Sequence, residues 1–249
     1  MSNRLLQDAL DDVEARFAAA NPRSLERFEA AKEVMPGGNT RTVLHYDPFP
    51  VAIVHAEGNR LTDIDGNSYI DMLGEYSAGL FGHSDPHIQA AITEALSHGT
   101  TLGAPNIYEL PLAQEFCKRF PSVERIRFCN SGTEANLIGL IFARAATGRR
   151  RFIMLNGAYH GGLLYFQEGA TAMNVDLDVV QVEINDIDAL KATARRIGAD
   201  LAAIVMEPLM GNAGVLPADR AFLQAAREMA DETGAILMFD EVMTSRFDY

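Results

Sequence analysis

Apolar residues recur at helical spacing from the start of the chain. Leu6, Leu10, Val13 and Phe17 form one stripe, which predicts an amphipathic helix over residues 4–20. Asn21-Pro22 breaks it, and a second helix runs to about Val34. Met35-Pro36-Gly37-Gly38-Asn39 reads as a loop. The period then changes to two. Residues 51–71 alternate apolar and polar, with turn signals at Glu57-Gly58-Asn59 and Asp65-Gly66-Asn67, which predicts an antiparallel meander. Residues 1–75 therefore read as an N-terminal arm with a small antiparallel sheet.

From about residue 84 the texture changes. Asp85-Pro86 suits the N-cap and first helical position of a helix running to about His98, and another helix covers 109–119. Strands and helices then alternate. Strands are expected at 125–129, 151–155, 177–182, 201–206 and 235–239, and helices at 133–146, 186–197 and 218–233. Such alternation implies an α/β domain over 76–249, a mostly parallel sheet with helices on both faces. Ligands of these sheets bind at the carboxyl ends of the strands. The polar clusters at 130–133, 156–162, 207–214 and 240–242 all fall at such ends.

Composition narrows the partners. The chain has 249 residues, 48% of them hydrophobic, and carries 21 basic against 34 acidic residues. That balance argues against nucleic acid and anionic membranes. The N-terminus turns acidic at once and no apolar run reaches transmembrane length, so a soluble cytoplasmic protein is expected. Cys117 and Cys129 give no disulfide framework, and Cys129 reads as a small core residue.

Candidate chemistry sits at the strand ends. Ser131-Gly132-Thr133 opens a helix directly after a strand, where free backbone N–H groups and the helix dipole attract anions. The same residues read equally as a capping box, Ser131 with Glu134. Asp240 follows five apolar residues and needs a cationic or hydrogen-bonding partner. A protonated ring nitrogen would serve, and Val242, back on the same strand face, could pack beneath a flat ring. Tyr159, in Tyr159-His160-Gly161-Gly162, could stack on such a ring, or be a core tyrosine beside a turn. Glu207 and Asn212 could bond ring substituents or the residues that hold them. Arg41 could pair with a carboxylate, and Glu75-Tyr76 lies where the small sheet meets the larger domain. His83 and His87 flank a helix start and do not share a face, so no metal site is expected. A carboxylate and an anion cradle together suit pyridoxal 5′-phosphate (PLP).

These motifs resemble, in order, the class III (subgroup II) aminotransferases of PLP fold type I. The resemblance rests on Met35-Pro36-Gly37-Gly38, Asp63-x-Asp65-Gly66, Gly82-His83, Asn130-Ser131-Gly132-Thr133-Glu134-Ala135, Tyr159-His160-Gly161, Glu207-Pro208 and Phe239-Asp240-Glu241-Val242-Met243-Thr244. Asn39-Thr40-Arg41-Thr42-Val43-Leu44, Asp47-Pro48-Phe49-Pro50, Glu75-Tyr76-Ser77-Ala78-Gly79 and Thr244-Ser245-Arg246 look closest to the β-phenylalanine type. The Met-Pro-Gly-Gly loop, the Asp-Glu-Val-Met-Thr ending and Asn212 are also similar to glutamate-1-semialdehyde aminomutase.

The resemblance implies roles. Ser131, Gly132 and Thr133 would hold the phosphate, and Tyr159 and Val242 would flank the ring. Asp240 would pair with its nitrogen, with Glu207 and Asn212 in support. Arg41 and Tyr76 would bind substrate. It also implies a Schiff-base lysine a few dozen residues beyond Asp240. Lys32, Lys118 and Lys191 match no such position, so the chain itself is expected to hold no catalytic lysine and to be the N-terminal part of a longer enzyme, with the C-terminal part of the fold missing. The implied activity is amino transfer from a β-amino acid to a keto acid by a homodimer. An aminomutase, or a non-catalytic PLP-binding module, is the alternative.

Overall fold

The structure, a computed structural model, describes residues 2–167 and 171–245. The chain packs as two compact units, Met1–Gly103 and Ala104–Tyr249.

In the first unit, α1 (Ser2–Ala20) and α2 (Pro22–Lys32) precede three strands, β1 (Ile53–Glu57), β2 (Arg60–Asp63) and β3 (Ser68–Ile70). These form an antiparallel meander in the order β1-β2-β3, turning where the Gly-Asn pairs stand. Asp65, in the second turn, has a further task. The N-cap of α2, Asn21, makes no side-chain cap bond. Asp65 instead accepts from the Arg23 and Ser24 N–H groups at 2.8 and 2.9 Å and from Ser24 Oγ at 2.7 Å. A helix start with no local cap is thus satisfied from the meander. Asp63 is buried and accepts from Tyr69 Oη at 2.7 Å and Asn67 Nδ2 at 2.9 Å. Burial pushes the Asp63 carboxyl up, but these bonds outweigh it and hold it below its usual value. Burial and the Asp63 charge push the Tyr69 phenol up to about 12. The unit continues through α3 (Pro86–Ser97), whose N-cap Asp85 accepts from the His87 and Ile88 N–H groups.

The second unit opens with α4 (Glu109–Arg119) and α5 (Gly132–Thr147). A parallel sheet follows, built from β4 (Arg151–Leu155), β5 (Val179–Val182), β6 (Leu201–Met206) and a last strand at Ile236–Phe239. Two helices, α6 (Ile187–Ile197) and α7 (Arg220–Thr233), and a short antiparallel pair, β7 (Leu209–Met210) with β8 (Leu216–Pro217), lie among them in sequence, so the last strand is β9. The sheet order is β5-β4-β6-β9. Every residue of β6 is buried, which requires cover on both faces. α5 packs on β6, and α6 and α7 pack against each other and on the sheet. The core gathers Phe152–Leu155, Leu201–Met206, Leu190, Phe222 and Met229.

Two expectations change. Residues 125–129 form no hydrogen-bonded strand, because no described strand pairs with them. Cys129 is accordingly exposed rather than a core residue. The strands of the β7–β8 hairpin are two residues long and lie among glycines, too short to show a period in the sequence.

Candidate functional site

The neighbouring strands β4, β6 and β9 end side by side, and their C-terminal extensions carry Tyr159-His160, Glu207 and Asp240. Asp240 is 9% exposed. Its Oδ2 accepts from Asn136 Nδ2 at 2.8 Å and pairs with His160 Nδ1 at 2.9 Å, while Oδ1 accepts from the Val242 N–H at 3.1 Å. Burial pushes the carboxyl up, but the bond from His160, its charge interaction and the two other donors prevail and hold it below its usual value. An ionised carboxylate only accepts, so His160 presents Nδ1–H to it. His160 Nε2 is buried and has no hydrogen-bond partner among the described residues.

Glu207 is also buried, and its Oε1 accepts from the Tyr159 N–H at 3.0 Å. Burial pushes this carboxyl up, and the bonds it accepts only partly offset that. One acid at the strand ends is therefore held charged and its neighbour is driven toward neutrality.

Ser131 is the N-cap of α5, and its Oγ accepts from the Glu134 N–H at 3.1 Å. Glu134 in turn accepts from the Asn130 N–H at 2.7 Å. The capping interaction is thus realised, and it leaves the first N–H groups, those of Gly132 and Thr133, without an intrahelical acceptor. The cap and an anion cradle are compatible at one helix start. Gly161 approaches Thr133 so closely that a Cβ there would lie 2.7 Å from Thr133 Cβ and 2.8 Å from its Cα, and Gly161 has φ +114°. The turn bearing Tyr159 is thereby pressed onto the start of α5.

The remaining candidates fall as follows. Val242 lies in a turn after β9, not on the strand, so turn geometry rather than strand alternation sets its direction. Its Cγ2 stands 3.5 Å from where a Gly132 Cβ would be. Tyr159 is half-buried and meets Tyr165 edge-on, with ring centroids 5.3 Å apart. Asn212 Nδ2 donates to Tyr165 Oη at 2.7 Å. Glu207 and Asn212 thus both act on the Tyr159 segment, one through its backbone and one through its aromatic neighbour. Arg41 and Tyr76 belong to the first unit. There Arg41 Nη1 lies 3.5 Å from Glu75 Oε2, and Tyr76 Oη donates to the Val43 carbonyl at 3.1 Å. Glu75, Tyr76 and Ser77 all have positive φ, a left-handed turn that non-glycine residues adopt at a cost. His83 pairs with Asp71 at 2.8 Å. Arg246, quoted in the last resemblance motif, lies outside the described residues.

Asn136 and His160 were missed as site residues. The available signal was an asparagine inside an otherwise apolar helix, aligned with the core positions Leu140 and Ala143. The three lysines sit in ion pairs on helix surfaces, Lys32 with Glu29, Lys118 with Glu115 and Lys191 with Glu228. Among the described residues no helix is long and apolar enough to cross a membrane.

Fold and site together define an α/β chain of the doubly covered, mostly parallel kind, with a charged carboxylate and an open helix start at its strand ends. The model for "Aminotransferase class-III" matches residues 43–246, and the chain belongs to that family. It is 45% identical over 246 residues to the beta-phenylalanine transaminase of Variovorax paradoxus, covering 99% of this chain and 57% of that protein. The crystal structure of the Variovorax enzyme superposes with a TM-score of 0.93 over 96% of this chain and 56% of that one. A solved structure described as a transaminase with PLP bound gives a TM-score of 0.82 at 35% identity, over 89% of this chain and 55% of that one. The glutamate-1-semialdehyde 2,1-aminomutase of Methanopyrus kandleri is 36% identical over 237 residues, which cover 90% of this chain and 55% of that protein. The chain thus spans little more than half the length of these relatives.

Proposed function

We propose that the full-length protein is a PLP-dependent transaminase that moves an amino group from a β-amino acid to a keto acid. The observation that carries this reading is Asp240, a buried carboxylate held charged at a strand end, with one donor on its Oδ1 among the described residues. A protonated pyridine nitrogen is the complement of such a group. The other residues fit the rest of PLP. The Gly132 and Thr133 N–H groups, with the Thr133 hydroxyl and the dipole of α5, suit the phosphate, while Ser131 keeps the helix start in shape. Tyr159, its backbone held by Glu207 and its ring braced by Tyr165 and Asn212, offers an aromatic face, and Val242 an apolar one.

When bound, PLP supplies an electron-poor ring that takes up charge from the carbon bearing the amino group. Asp240 keeps the ring nitrogen protonated. Arg41 offers a bidentate grip for the substrate carboxylate, beside Tyr76. The reading calls for a lysine from the rest of the full-length protein, because Lys32, Lys118 and Lys191 are all engaged in surface ion pairs. The β-amino-acid donor follows the Variovorax relative and the Arg41–Tyr76 context. A homodimer follows from the family resemblance, and a cytoplasmic setting from the two unpaired cysteines.

The test loads full-length protein with PLP and supplies β-phenylalanine with a keto acid. Amino transfer is expected. Isomerisation of glutamate-1-semialdehyde without transfer from β-phenylalanine would move the protein to the aminomutases. PLP bound without turnover of either would make it a binding module, and no PLP binding would end the reading.

A further inference from the structure

Asn136 stands one turn inside α5, five residues after its N-cap, and is 5% exposed. Asparagine is a poor helix-interior residue and costly to bury, so its place among Leu137, Leu140 and Ala143 calls for a compensating role. Its Nδ2 makes two long-range bonds, to the His160 carbonyl at 3.1 Å and to Asp240 Oδ2 at 2.8 Å. Those partners lie 24 and 104 residues away in the sequence. One amide therefore ties the helix that starts with Ser131-Gly132-Thr133 to the Tyr159-His160 turn and to the carboxylate after β9.

We propose that Asn136 is a positioning residue that joins the phosphate end of the site to its ring-nitrogen end, holding Asp240 charged and turned so that Oδ1 is left for the cofactor. This rests on the PLP reading above. With Asn136 and His160 both on Oδ2, that oxygen's in-plane acceptor directions are taken, whereas among the described residues Oδ1 holds the Val242 N–H alone. The Asn136 bond also helps to fix the side-chain torsion of Asp240, adding a contact from α5 to those of His160 and the Val242 N–H. His160 is held twice, through its ring by Asp240 and through its carbonyl by Asn136, so the turn carrying Tyr159 and the carboxylate move as one body.

Removing the amide frees Asp240 to turn, and a carboxylate no longer aimed at the ring nitrogen holds a proton there less well. The experiment uses full-length protein loaded with PLP labelled with 15N in the ring, and follows the ring-nitrogen resonance against pH. In Asn136→Leu, which keeps the shape, and in Asn136→Ser, which leaves room for a water, the ring nitrogen is expected to lose its proton about one pH unit lower than in the wild type. A merely structural role would lower thermal stability and leave that midpoint in place. Unchanged midpoints in either folded variant overturn the proposal. A variant-free measurement accompanies them: the Asn136 side-chain amide resonance is expected to shift when the wild type is loaded with PLP, and an unmoved resonance also overturns it. Failure of the wild type to bind PLP would instead overturn the proposed function.

Discussion

Gly161 offers the sharpest test of how the site is assembled. Alanine at this position meets two separate obstacles. Its φ of +114° is a backbone region that L-residues rarely adopt, and holding alanine there costs about 1–3 kcal/mol. The new methyl would also lie 2.7 Å from Thr133 Cβ, 2.8 Å from Thr133 Cα and closer still to Thr133 Oγ1. Rotating the threonine side chain moves Oγ1 but neither carbon, so the start of α5 must shift. Overpacking of this kind costs about 1–3 kcal/mol more. Together Gly161→Ala should lose about 2–6 kcal/mol, a large part of a typical total stability of about 5–15 kcal/mol.

The assay is denaturant unfolding of the full-length protein with and without PLP, together with a spectroscopic titration of PLP affinity. The affinity should fall, because the displaced residue belongs to the proposed anion cradle. Thr133→Gly removes Oγ1 and Cβ but not Cα or the backbone strain. The double variant should therefore recover only part of the loss, with an interaction energy of about 1–2 kcal/mol. If Gly161→Ala unfolds within about 0.5 kcal/mol of the wild type, the close approach is not a constraint and the reasoning fails.

Ser131→Asp separates the two uses of that helix start: aspartate is a good N-cap, so stability should hold within about 0.5 kcal/mol while PLP affinity falls through repulsion of the phosphate, and equal PLP affinity in a binding titration would remove the phosphate from this end. Ser131→Ala should lose about 1 kcal/mol in chemical unfolding. Glu207→Gln should raise the melting temperature of the cofactor-free protein at neutral pH. Burial lifts the Glu207 carboxyl, so the native state binds its proton more tightly than the unfolded chain and stability is lost as pH rises. The advantage of the variant should shrink as pH falls toward about 4, near the value of a free glutamate, and a gap that widens on acidification in melting scans would contradict this. Ser24→Ala removes the acceptor of the Ala52 N–H and the hydroxyl donor to Asp65, and should cost about 1–3 kcal/mol, read in the unfolding of the first unit.

Much of this molecule was legible because its signals are local. The meander turns stand at their Gly-Asn pairs, and the N-caps Asp85 and Ser131 each accept a backbone N–H as their sequence context implies. A cap needs only its own next three residues, so a string of letters carries it. Residues 125–129 show the opposite case. Their alternation of arginine and apolar residues has strand character, but a strand exists only in a pair, and pairing is not written in the segment itself. Asp65 reads as a turn residue, and nothing nearby reveals that it satisfies a helix start 41 residues earlier.

The same distinction explains the site. Asp240 and Ser131 were found because each sits at a strand end or helix start, positions that periodicity locates. Asn136, His160 and Gly161 were passed over because their meaning is relational. Gly161 matters for the threonine it touches, and Asn136 for a carboxylate 104 residues away. Glu207 was left with two readings, a group for the ring substituents or for the residues that hold them, and its Oε1 accepts from the Tyr159 backbone, the second kind of contact. The sheet order β5-β4-β6-β9 is the step that converts one sort of information into the other. Once β4, β6 and β9 are neighbours, the residues just past 155, 206 and 239 must share a small volume. A buried charge placed there is stable only if the other two strand ends, or the helix α5 packed on β6, bring donors. His160 comes from the first and Asn136 from the helix. The charge on Asp240 is thus a property of the topology as much as of the residue.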